Sequence, residues 1–162
     1  LNDLKESKAN PLQDPKESIS ADAIASPKLI YLICDQRDLD NITELEDLLF
    51  NENYEVITPI FDGDENQVRL DHQENLKTCD AVLIYYGEGN ELWMRSKLRE
   101  LLKIAGYGRT SPLQAKGIIL AGPKKDYKAR VRAHNTIVID CTEGLSKEKI
   151  QPYFEKVNQI IK

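Results

Sequence analysis

Three carboxylates, Glu88, Glu91 and Glu100, follow the apolar run at 81–86, on or after the loop that ends it. A carboxylate held at a strand end can stabilise the oxocarbenium ion that develops on a ribose when its glycosidic bond breaks. Most surface glutamates do no such chemistry, so the type of residue alone assigns nothing. Glu100 and Glu91 are the candidate catalytic acids. Trp93 and Phe61 are the aromatics near enough in sequence order to stack on a base, and Asp35, Arg37 and Gly87 stand in the loops that would border it.

Other chemistries fail on spacing. Gly87-x-Gly89 resembles the start of a dinucleotide loop, but position 92 is Leu92 where a third glycine is needed, and Glu88 and Glu91 would repel a phosphate. There is no Gly-Lys-Ser or Gly-Lys-Thr and no Gly-x-Ser-x-Gly elbow. Cys34 ends an apolar run as the nucleophile of a low-mass tyrosine phosphatase does, yet the position six residues on is Asp40 rather than arginine. Asp35, Asp38 and Asp40 would also raise the thiol pKa, the wrong direction for a nucleophile. His72 and His134, the only histidines, lie far apart without ligand spacing, so no metal site is expected; His72 reads as a solvated helix position.

The 162-residue length suits one domain, and 41% hydrophobic with 30% charged residues excludes a disordered or fibrous chain. No apolar run reaches the roughly 18–20 residues of a bilayer span, and the first residues lack a secretion pattern. No membrane association is expected. Three widely spaced cysteines argue for reduced thiols and a cytoplasmic setting.

The net charge of −5 conceals a division. Between Asp35 and Glu74 there are thirteen Asp or Glu against two Arg, and between Arg95 and Arg132 eleven Lys or Arg against two acids. Segments so charged, if they fold as opposed surfaces, make a dipolar module that docks acidic face on basic face. An acidic total argues against specific nucleic-acid binding.

The elements that must position these groups begin at Lys28. Residues 1–27, with three prolines and several serines, read as a linker or tail, and the missing initiator Met suggests a fragment of a larger protein. Strands are expected at 29–34, 55–61, 81–86, 117–121 and 136–140, and helices at about 40–51, 65–77, 90–105 and 146–161. The alternation predicts a flavodoxin-like α/β three-layer sandwich: a five-stranded parallel sheet of order 2-1-3-4-5 with helices on both faces. A ligand crevice is expected outside the carboxyl ends of strands one and three.

The strand–helix order, the acidic turn after strand two and the run Asn90-Glu-Leu-Trp-Met-Arg-Ser-Lys-Leu-Arg-Glu100-Leu together resemble a Toll/interleukin-1 receptor (TIR) domain over 28–162. The runs Tyr31-Leu-Ile-Cys-Asp-Gln-Arg-Asp-Leu-Asp40 and Cys79-Asp-Ala-Val-Leu-Ile-Tyr-Tyr-Gly87 are similar to divergent TIR-like domains of multidomain bacterial proteins. The resemblance implies assembly through surface contacts to transmit signals, with other protein domains or a second copy as partner. It also implies, for some members, cleavage of NAD by a glutamate in a Trp-Cys-x-x-Glu pattern. With Trp93 as that tryptophan, Met94 replaces the cysteine and Lys97 the glutamate, an inactive pattern. In the other register Glu100 falls near the catalytic position, but a helix starting at Asn90 sets it roughly 15 Å from the mouth.

Two readings therefore stand, and a third beside them. The leading one is a TIR-like interaction and signalling module that requires no cofactor. The second is an NAD glycohydrolase, with NAD as substrate and a small nucleotide as ligand. A nucleoside deoxyribosyltransferase-like enzyme shares only the architecture.

Overall fold

The computed structural model describes residues 27–159. Five strands, β1 (Leu29–Ile33), β2 (Glu55–Ile57), β3 (Ala81–Tyr86), β4 (Ala115–Leu120) and β5 (Ile137–Asp140), form one sheet in the order β2-β1-β3-β4-β5. All four pairings are parallel. This is the expected 2-1-3-4-5 α/β arrangement. The helices are α1 (Thr43–Asn51), α2 (Glu65–Thr78), α3 (Glu91–Leu102), the short α4 (Asp126–Ala129) and α5 (Lys147–Val157).

Strand β3 is buried at five of its six positions because it is central and covered on both faces. Its alternate residues divide between two cores. Ala81 and Leu83 pack with Leu45 and Leu49 of α1 and with Ile150, Tyr153 and Phe154 of α5 on one face; Val82, Ile84 and Tyr86 pack with Leu76 of α2 and Met94 of α3 on the other. The two-residue period of a strand makes that division.

Several boundaries differ from the sequence expectation, each for a local reason. β2 ends at Ile57 rather than running to 61, because Pro59 has no N–H to continue a ladder. α1 begins at Thr43, since a 3-10 turn at Gln36–Asp38 takes up the chain and the Asp38 carbonyl accepts from the Asn41 and Ile42 amides. α3 gives way after Leu102 to a 3-10 turn at Ile104–Tyr107, and the left-handed residue is Gly108, φ 98°, rather than Gly106. The basic segment 124–132, to which no element is assigned from the sequence, contains α4. α5 retains Pro152 in its interior, which forgoes one helical hydrogen bond, and is capped by Ser146. The expected tail lies outside the described residues except for Pro27; α5 ends at Val157, short of the expected 161, and positions 160–161 of that expectation lie outside the described residues.

Candidate functional site

A cavity of about 450 Å³ opens at the carboxyl ends of β1 and β2, roofed by Pro59, Ile60 and Phe61 and walled by α2 and α3. Its position follows from the connections. The chain leaves β2 early, crosses above the sheet edge, and turns through Asp62-Gly63 into α2, where Asp64 caps the helix by accepting from the Gln67 amide at 2.8 Å. On the other side Asn90 accepts from the Trp93 amide at 2.9 Å and so fixes the start of α3 at Glu91.

That cap sets which α3 side chains face the cavity. With α3 starting at Glu91, Trp93 and Lys97, one turn apart, both line the cavity. Glu100 lies in the last turn and does not line it. Its Oε1 is instead 2.8 Å from His72 Nε2 on α2 and 3.5 Å from Lys97 Nζ. His72 Nδ1 is 2.6 Å from the Tyr31 hydroxyl. An ionised Glu100 can only accept, so Nε2 donates to it. Burial alone would raise the Glu100 pKa, but the His72 hydrogen bond with the charges of His72 and Lys97 outweighs it and holds the carboxyl below its usual value. Burial pushes the Tyr31 hydroxyl up, so it stays protonated. Tyr31 and His72, which line the cavity, and Glu100, which does not, thus form a continuous chain from sheet to α2 to α3.

The remaining candidates divide. Asp35, Arg37, Phe61 and Trp93 line the cavity. Arg37 Nε binds Asp35 Oδ1 at 2.9 Å, and that hydrogen bond holds the Asp35 carboxyl below its ordinary value. Glu91 points elsewhere: it reaches Arg95 at 3.4 Å and borders a second, smaller cavity. Gly87 does not line the larger cavity. A Cβ on Gly87 would meet Asp38 Oδ1 at 2.5 Å, and one on Gly89 would meet the Trp93 ring at 2.5 Å, so the glycine pair permits close packing.

The crevice expected between β1 and β3 is stitched shut. Asp38, 1% exposed, accepts from the Glu88 amide at 2.9 Å and from Asn41 Nδ2 at 3.1 Å, while Arg37 Nη2 donates to the Glu88 carbonyl at 3.2 Å. The open space is displaced to the β1–β2 side. Cys34 lines it but is no nucleophile, because burial, then the charges of Asp38 and Asp35, push the thiol up to about 12.

Sequence reasoning missed His72 as a linking residue and placed it on a solvated face. The signal was present: Val68, His72 and Leu76 recur every four residues, one stripe of α2. Lys128 was missed as well. It is 1% exposed, donates to the carbonyls of Ala121 at 2.8 Å and Pro123 at 2.7 Å, and stands 5.8 Å from the Tyr86 ring centre. Among the described residues no group of three or more His, Cys, Asp and Glu could hold a metal ion. No described helix is long and apolar enough to cross a membrane.

Compared with protein-family models and with curated proteins, the chain matches none. The TIR resemblance therefore rests on its own residues, and function must be argued from the geometry.

Proposed function

We propose that the chain is a TIR-like interaction and signalling module of a larger bacterial protein, working in the cytoplasm and docking through its acidic and basic faces. The observation that carries it is the sheet order. The acidic stretch forms the turn after β1, α1, β2 and α2, and the basic stretch forms most of α3, β4 and α4; with β2 at one edge and β5 at the other, the two charges sit toward opposite edges. Such a molecule attracts a copy or partner presenting the complementary edge. Three buried, unpaired thiols are in keeping with a reducing compartment.

NAD cleavage is the alternative, and the cavity supports it less well. In the register that takes Trp93 as the family's tryptophan the α3 side chain at the catalytic position is Lys97, and in the other register Glu100 is engaged by His72. A cation there would oppose an oxocarbenium ion rather than stabilise it. The cavity with Trp93 and Phe61 remains large enough for a nucleotide that is held without being cleaved. The deciding experiment is NAD consumption by the concentrated protein at low salt beside Glu100→Ala and Glu91→Ala. The module reading expects no loss in any sample. Loss abolished by one substitution makes the chain an enzyme.

A further inference from the structure

The second cavity, about 250 Å³, lies between α3 and the segment around α4. Its floor is apolar and aromatic: Tyr86, Met94, Leu98, Tyr127 and Val131, with the rings of Tyr86 and Tyr127 6.1 Å apart. Its rim is cationic. Arg130 and Arg132 are exposed and make no hydrogen bond or ion pair among the described residues, and Arg95 has only the long contact to Glu91. The buried Lys128 behind Tyr86 adds a further positive charge. A hole below the roughly 300–1,000 Å³ of small-ligand sites, with an aromatic floor and arginine rim, suits one ring flanked by acids.

The opposite edge of the chain carries such a group. Among the exposed large apolar side chains of the described residues Phe50 is the one aromatic, 68% exposed, at the end of α1. Glu46 and Asp47 precede it by one helical turn on the same side. Leu102 is more exposed at 84%, but it is flanked by Arg99 and Lys103 and would meet the arginine rim with like charge.

We infer that Phe50 of one copy seats in the Tyr86–Tyr127 cavity of a second copy, with Glu46 and Asp47 against Arg95, Arg130 and Arg132. This rests on the module reading and names its surface. Knob and hole lie on different parts of the chain, so the contact is head-to-tail, and each bound copy leaves one knob and one hole free. A buried aromatic anchor within a charged rim is where such interfaces concentrate their affinity.

The test uses two variants, each lacking one half of the contact: Phe50→Ala, and Arg130→Glu with Arg132→Glu. All three positions are exposed, so folding is spared, as circular dichroism would show. Sedimentation at low salt should give association by the unaltered chain, and self-association weakened by about 10–30-fold in each variant alone. Mixed in equal amounts, the variants retain one good hole and one good knob between them. They should form a 1:1 dimer that grows no further. Association retained in both variants, or no dimer on mixing, overturns the docking contact while leaving the module reading intact. A strict monomer in the unaltered chain overturns the contact together with all docking of one copy on another.

Discussion

Lys97 lines the cavity from α3, and the acid beside it, Glu100, is held by His72 on the neighbouring helix. Glu100→Gln should therefore act on stability. A hydrogen bond between charged or polar partners at a part-buried position contributes about 1–2 kcal/mol. The pH dependence has a definite sign. The folded Glu100 pKa is depressed, so the stabilisation is fully present above the unfolded value of about 4.3 and is lost as pH falls through the folded value. Urea unfolding should show the deficit of Glu100→Gln at pH 7 and its disappearance toward pH 3; an equal deficit at both would contradict an ionised Glu100. The thiols give a second check. Burial raises all three, Cys34 to about 12 and Cys79 to about 11. Ellman's reagent at pH 8 should find none in the native protein and three after denaturation.

Elements were legible in the sequence where one signal acted alone. The continuous apolar run 81–86 could only be a central strand, and Asn90 could only cap what followed it. Boundaries went astray where backbone competed with pattern, as Pro59 cut β2 short and the Asp38 turn displaced the start of α1. α2 was the least legible face. Its buried stripe is partly polar, with His72 joined to Tyr31 and Glu100, and hydrophobic periodicity does not register a helix held by hydrogen bonds. The same blindness hid the closed β1–β3 crevice, since no pattern announces that Asp38 reaches across to the Glu88 amide. Packing at this scale predicts that Gly89→Ala, whose methyl would press on the Trp93 ring, destabilises by about 1–3 kcal/mol. Chemical denaturation measures it, and an unchanged midpoint would mean that the α3 start yields easily.

At the scale of the molecule, the division of charge was readable from residue counts, while its placement needed the sheet order. Strand β2 at one edge and β5 at the other turn a sequence asymmetry into a spatial one. The surface attraction this implies is screened within a Debye length, about 10 Å at 0.1 M salt and about 3 Å at 1 M. The most direct measurement is sedimentation velocity of the 18.5 kDa chain across protein concentration at low and high salt. At low salt the average mass should rise with concentration, and at about 1 M salt it should fall back to that of the monomer. A strict monomer at every concentration and salt would contradict charge-driven assembly.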